Sequence, residues 1–355
     1  GDDFAAGYSL SEWIDACVAA RNSDIRAFTV MLCFSGERRH GDIHWWLERF
    51  CRFDNLPLLC ISADFATDSR WDLGNRNTAH ELLSLAESFI DVAGGGPPCS
   101  TTSRARHNKR MPGPRPLRFR DSFWGRSDLT LSEQSRVAEA NRKWLNVLMI
   151  FEAISLRGGA HFWEHPADPG VEPYPSLWNT DEMQCSEART GATRKLFDQC
   201  SFEGPRPKRT CLSATLKGLE IFDDKHCPGF SDSHCHYGAS EGLNSLGQFH
   251  TARLQSYPPE LCKAIAHCIL LTLRCMKVDG TGPTGFIHPY LPVPNVTAYS
   301  TKASAATPIG ITLLSEANVS GTRVHFDHRN AAIYLHVDDT SCLTDDSCPL
   351  SADLL

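Results

Sequence analysis

Ala27-Phe28-Thr29-Val30-Met31-Leu32-Cys33-Phe34-Ser35-Gly36 is the stretch on which the fold turns. Ala27 to Phe34 is a continuous apolar run with β-branched members, which predicts a strand buried on both faces. Ser35-Gly36 then closes it as a turn. A strand apolar on both sides needs helices above and below it, so the neighbouring sequence should alternate between helix and strand.

It does so in both directions. Upstream, Ser9 to Ala20 predicts an amphipathic helix, with Trp13, Ile14, Cys17 and Val18 on one face. Downstream come a helix over Ile43 to Phe53, a strand over Leu56 to Ile61, a helix over Thr78 to Ser88 and a strand over Phe89 to Ala93. The last strand runs into a predicted turn, Gly94-Gly95-Gly96-Pro97-Pro98-Cys99. A long helix follows over Leu131 to Arg157, its start read at Ser132-x-x-Ser135, then a strand over Ala160 to Trp163 ending in Glu164-His165-Pro166. Residues 201–247 read as a loop-rich insertion, Pro258 to Met276 as a helix, and 278–308 as a linker. The expected fold is a doubly wound α/β sheet over about residues 25–276. A helical extension (1–24) precedes it, and a poorly structured tail (277–355) with one strand over Ala331 to Val337 follows.

Composition bounds the reading. The chain has 355 residues, 41% hydrophobic and 22% charged, with a net charge of −7, which excludes a coiled coil, a collagen-like chain and a disordered tail. Its longest apolar runs, such as Cys268 to Leu273, fall well short of the roughly 18 residues of a membrane span, so no membrane partner is expected. No basic-then-apolar leader is visible, which predicts an intracellular protein, nuclear in a eukaryote. The first residue is Gly1, as in a piece of a longer protein. The 15 cysteines are odd in number, lie largely in apolar runs and fall below the ~8–10% of a disulfide scaffold, so buried thiols are expected.

Two motifs carry the chemistry. Cys99 sits in a Pro-rich turn at the carboxyl end of a predicted strand, where α/β sheets bind ligands. The basic residues after it favour the thiolate, hence a nucleophile. Glu164 follows a later strand and points into the same cleft.

Together these segments resemble the DNA cytosine-5 methyltransferase family. In that family a Pro-Cys thiolate adds to C6 of cytosine, and a Glu after a later strand holds the N3 edge. By motif, Cys99 corresponds to the nucleophile and Glu164 to the acid. The resemblance implies a Rossmann-like, class I methyltransferase fold with S-adenosylmethionine as cofactor. Phe34-Ser35-Gly36 is similar to the Phe-x-Gly-x-Gly cofactor turn, here followed by Glu37-Arg38-Arg39. Asp64 corresponds to the ribose-binding acid and Asp72 to the adenine-contacting acid, and Pro98 adjoins the cofactor. Lys208-Arg209-Thr210 resembles the basic motif after the Glu strand, with Arg209 near base or phosphate. Ala252-Arg253-Leu254-Gln255-Ser256-Tyr257-Pro258 resembles the Ala-Arg-Leu-Gln-x-Phe-Pro pattern beside the recognition region. The likeness runs in order over about residues 28–275.

The implied partner is DNA. Residues Thr101 to Arg126 hold eight basic residues against one acid, Asp121, and read as a long basic loop able to contact phosphates. Arg104, Arg106, Lys109, Arg110, Lys208, Arg209 and Arg253 are the nucleic-acid-binding candidates. Two alternatives stay open: a catalytically inactive nucleic-acid-binding relative, or a retroelement polyprotein fragment. The second rests on Tyr334-Leu335-His336-Val337-Asp338-Asp339, which resembles the Asp-Asp turn of reverse transcriptases. His226, Cys227, His234, Cys235 and His236 are residue types that ligate zinc, but no C-x-x-C pair accompanies them. They read as loop residues, with a structural zinc as the alternative and no metal assigned.

Overall fold

The computed structural model describes residues 10–22, 27–107, 113–229 and 255–278, the strands 317–319, 322–327 and 332–337, and Ser231, His234 and His236. The architecture is α/β. A mixed six-stranded sheet is built from β1 (Phe28–Cys33), β2 (Leu58–Ala63), β3 (Val92–Gly95), β4 (Ala160–Pro166), β5 (Thr193–Asp198) and β6 (Arg209–Ala214). Their spatial order is β2-β1-β3-β4-β6-β5. The first four are parallel, and β6 runs antiparallel to both β4 and β5.

Helices cover both faces. On one face α2 (Ile43–Phe53) and α6 (Pro259–Val278) pack Leu47, Cys51, Leu261 and Ile265 against Val30, Leu32 and Phe162. On the other, α3 (Arg76–Ala86) and α4 (Leu131–Leu156) pack Leu82, Phe151 and Ile154 against Met31, Cys33 and Trp163. Alternate residues of one strand thus feed two cores, as expected of a strand apolar on both sides. The helix α1 (Leu10–Asn22) belongs to the second core and is no detached extension: Trp13 and Cys17 are fully buried, and Trp13 meets Trp71 edge-on at 6.0 Å.

Several expected boundaries move, each for a local reason. The second strand begins after Pro57, because Leu56 N–H still bonds the Cys51 carbonyl at the end of α2. The third begins later still, because Phe89 and Ile90 N–H close α3 on the Leu85 carbonyl. It then runs through Gly94 and Gly95, which were expected in a turn. A Cβ on Gly94 would lie 2.0 Å from the Phe162 ring, and one on Gly95 would lie 1.9 Å from the Cys33 carbonyl oxygen. Glycine is required there by close packing. The cap of α4 is Thr130 with Glu133, a capping box, in place of the expected serines.

The region after β4 is more ordered than the sequence suggested. Helix α5 (Asp181–Thr190) and strand β5 were not anticipated, and β6 lies inside the stretch read as loop-rich insertion. The C-terminal part contains a three-stranded antiparallel sheet, β7 (Ala317–Val319), β8 (Thr322–Asp327) and β9 (Ala332–Val337), where a single strand was expected. Asp338 and Asp339 lie outside the described residues. No helix among the described residues is long and apolar enough to cross a membrane.

Candidate active site

The chain leaves β1 for β2 on one side and returns to β3 on the other. The order therefore reverses between β1 and β3, and their carboxyl ends flank a crevice of the kind in which open α/β sheets bind ligands. The turn after β1 holds Phe34 at φ 55° and Gly36 at φ 71°, both left-handed. Phe34 N–H donates to the Ala63 carbonyl (2.8 Å), and Gly36 N–H to Asp64 Oδ2 (2.8 Å). Asp64 Oδ1 accepts from Ala66 N–H at 2.7 Å, so this carboxylate is fixed at the end of β2 by two backbone donors. Phe34, Ser35, Gly36 and Asp64 thus come together. Asp72 accepts from Gly74 N–H (3.0 Å) and lies 3.8 Å from Lys143 Nζ, which also stands 5.3 Å above the exposed Phe65 ring.

The residues after Gly36 have structural work of their own. Arg38 pairs with Asp42, the N-cap of α2, at 3.0 Å. Arg39 Nη2 donates to the Tyr257 carbonyl at 2.7 Å, joining this turn to the segment before α6.

The second half of the crevice forms where β3 and β4 end. Pro97 is buried, Pro98 exposed and Cys99 partly exposed. The Cys99 carbonyl accepts from Thr102 N–H (3.1 Å) and Oγ1 (3.0 Å), which holds the loop in a tight turn. Glu164 on β4 is buried; its Oε2 accepts from the Tyr257 hydroxyl at 2.8 Å, and its Oε1 is 3.9 Å from Lys208 Nζ. Gly96 lies between these groups: a Cβ there would be 2.2 Å from the Tyr257 hydroxyl and 2.5 Å from Glu164 Oε2.

The electrostatics follow from burial. The Cys99 thiol is pushed above its ordinary value first by desolvation and further by the Glu164 charge, while Lys208 acts in the opposite direction. Among the described residues, the cation that favours the thiolate is Lys208, which precedes β6, where the sequence suggested the basic run after Cys99. Burial, then the Glu164 charge, holds the Tyr257 phenol well above its ordinary range, so it stays protonated and donates.

The expected basic loop is substantially a structural element. Arg118 is fully buried, and its guanidinium donates to Thr101 Oγ1 (3.0 Å), the Phe123 carbonyl (2.7 Å) and Asn141 Oδ1 (2.7 Å). Arg115 pairs with Glu133 and Asp128, Arg120 with Asp168, and Arg126 with Asp128. Arg106 donates to the Ser100 (2.6 Å) and Arg115 (3.1 Å) carbonyls. Arg104 is exposed and lies over the Tyr174 ring at 4.8 Å. Arg209 pairs with Asp198 (2.8 Å) and meets His226 Nδ1 (2.8 Å), so of the two neighbours it is Lys208 that faces Glu164. Lys109, Arg110 and Arg253 lie outside the described residues.

A second constellation stands at the turn of the β5–β6 hairpin. Cys200, Cys227, His234 and His236 offer ligand atoms that all lie within 4.8 Å of one another. The sequence reading had three of these four; it missed Cys200, 27 residues upstream of Cys227, and included His226, which turns to Arg209. Cys235 lies outside the described residues. Tyr257 was also missed as a site residue. Its signal was present, in the aromatic position of the Arg-Leu-Gln-x-aromatic-Pro segment. Compared with protein-family models and with curated proteins, the chain matches none.

Proposed function

We propose that the protein is an S-adenosylmethionine-dependent methyltransferase of Rossmann-like, class I fold that methylates C5 of cytosine in DNA. The observation that carries this reading is Glu164 of β4, 3.9 Å from Lys208, with both charges acting on the Cys99 thiol in the turn after β3. That is the juxtaposition of nucleophile, acid and cation that the chemistry needs. The cofactor site fits in kind. Asp64 presents a carboxylate fixed by backbone donors beside the Phe34-Gly36 turn, with the exposed Phe65 ring next to it. Asp72 and Pro98 border the same crevice in this reading. S-adenosylmethionine, when bound there, supplies the electrophilic methyl group.

The residues of the chain do the rest. A cytosine swung out of its stack enters in this reading between Cys99 and Glu164. Cys99 Sγ, as thiolate, forms a bond to C6, and the ring electron density moves towards C5. Glu164 holds the N3 edge and protonates or hydrogen-bonds it as negative charge enters the ring. Lys208 favours the thiolate and stands 3.9 Å from Glu164 Oε1. Once C5 has taken the methyl group, loss of the C5 proton to a base such as water returns the C–H electron pair to the C5–C6 bond, and Sγ leaves C6 as the thiolate. Arg104, exposed over the Tyr174 ring, is in this reading a cation that meets a phosphate.

The test uses DNA carrying 5-fluorocytosine, whose C5 fluorine cannot leave, with labelled S-adenosylmethionine. The expected result is a labelled, denaturation-resistant complex. It is lost in Cys99→Ala and weakened about 100-fold or more in Glu164→Gln. Salt-dependent DNA binding without detectable cofactor binding by calorimetry would instead establish the non-catalytic relative.

A further inference from the structure

We propose that Cys200, Cys227, His234 and His236 form a closed, tetrahedral zinc site that pins the segment after residue 222 to the β5–β6 hairpin. The inference stands independently of the methyltransferase reading. The distances carry it. Cys227 Sγ is 3.5 Å from His234 Nε2 and 3.4 Å from His236 Nε2, and the two Nε2 atoms are 3.1 Å apart. A tetrahedral Zn²⁺ with Zn–S of about 2.3 Å and Zn–N of about 2.0–2.1 Å has S···N edges of about 3.6 Å and N···N edges of about 3.3 Å. The three measured separations match the edges of that polyhedron. Cys200 Sγ, within 4.8 Å of all the others, supplies the fourth corner.

The chemistry of the set points the same way. Two thiols and two imidazoles are borderline-soft ligands that select zinc over calcium or magnesium. Four protein ligands leave no open position, which is the mark of a structural site. Both histidines turn Nε2 to one point, and their rings cross at 85° with centroids 4.9 Å apart. A stacked pair would not place its nitrogens so. The site is also braced from outside. Asp198 Oδ2 accepts from Cys227 N–H at 2.9 Å while pairing with Arg209, so the hairpin fixes the backbone of one ligand before any metal binds. Cys200 is anchored in the short 3-10 turn Gln199–Phe202 that directly follows β5. One ligand thus comes from the hairpin and three from within residues 227–236, which the metal ties together.

The experiment is metal analysis of the full chain purified without chelator. The expected result is about one zinc per chain, retained on dialysis and released when a mercurial blocks the thiols. Cobalt exchanged into the unsubstituted protein should give the intense visible bands of a tetrahedral site and a thiolate charge-transfer band. That readout does not depend on a variant that might fail to fold. Cys227→Ser and His236→Ala should each lose the metal or the cobalt spectrum, while Cys275→Ser, at an exposed position away from the cluster, should keep both. A zinc-free protein would overturn the proposal if Cys200 and Cys227 alkylate readily in the native state. So would a Cys200–Cys227 disulfide peptide recovered without metal.

Discussion

Cys99 is a nucleophile candidate held in its thiol form by its surroundings. Burial raises its pKa above the ordinary 9.0, the neighbouring Glu164 raises it further, and Lys208 and a backbone hydrogen bond act in the opposite direction. The direction has a direct consequence for reactivity. Because the thiolate alone attacks, alkylation of Cys99 by iodoacetamide should climb about tenfold per pH unit across the neutral range and show no plateau there. Lys208→Met removes the opposing charge and should slow alkylation at fixed pH, whereas Glu164→Gln removes a repelling charge and should speed it. Mass spectrometry of the Cys99 peptide against pH reads both effects. Equal rates in all three proteins would show that the two charges do not act on the thiol. The residue scale also explains what the sequence could and could not reveal about the site. Cys99 and Glu164 were legible because each follows an apolar run that reads as a strand, although Cys99 lies four residues beyond β3 and Glu164 within β4. Tyr257 was marked only as the aromatic of the Arg-Leu-Gln-x-aromatic-Pro segment; its contact with Glu164 was not legible, because the two residues lie 93 positions apart in the chain. Cys200 was missed for the same reason.

Elements were legible in proportion to their apolar periodicity. Helix α2 and the helix before residue 278 were found because each presents one apolar stripe to the sheet. Helix α5 and β6 were missed because they are held by other means. In α5 only Met183 and Ser186 are buried, and much of its attachment is polar. Arg189 donates through Nε (2.5 Å) and Nη2 (2.8 Å) to Glu152 of α4, whose side chain is 1% exposed. Two parallel charge-assisted bonds to a carboxylate this buried make the pair a structural rivet. Breaking one side strands a charge in the interior, so Glu152→Ala should lower stability by about 3–5 kcal/mol. Replacing both partners, as in Glu152→Leu with Arg189→Met, should recover most of that loss. The denaturant midpoints of the two variants decide it: if the double variant is as unstable as the single one, the cost is lost packing and not an unpaired charge. Strand β6 was invisible for a related reason. Arg209–Ala214 is short and mixed in character, and it is a strand because it fills the gap between β4 and β5, pairing with both.

At the scale of the whole molecule the net charge of −7 conceals how cations are spent. Arg115, Arg118, Arg120 and Arg126 fasten the segment after Cys99 to the body of the protein, which leaves fewer of them for a partner. Acid sensitivity is set by groups buried without charge. His161 bonds Ser155 Oγ through Nδ1 at 2.6 Å, and His165 is packed edge-on to Trp144 and Trp178. Burial holds them down at about 4 and about 3. The unfolded chain takes up protons at each of these histidines near the ordinary 6.5, while the folded chain does not until far lower pH. Stability is therefore complete above that value and falls as pH drops below it, by about 1.4 kcal/mol per unit for each histidine, until the folded values are reached. The expected measurement is a denaturant midpoint that declines between roughly pH 6.5 and 4 with a slope of about two protons beyond the carboxylate contribution. His165→Phe suits the aromatic surroundings, since it keeps a ring between the two tryptophans, and should reduce that slope by about one proton while changing stability little at neutral pH. An unchanged slope in the variant would mean that His165 already binds its proton in the folded state, and that the core around β4 is wetter than its burial implies.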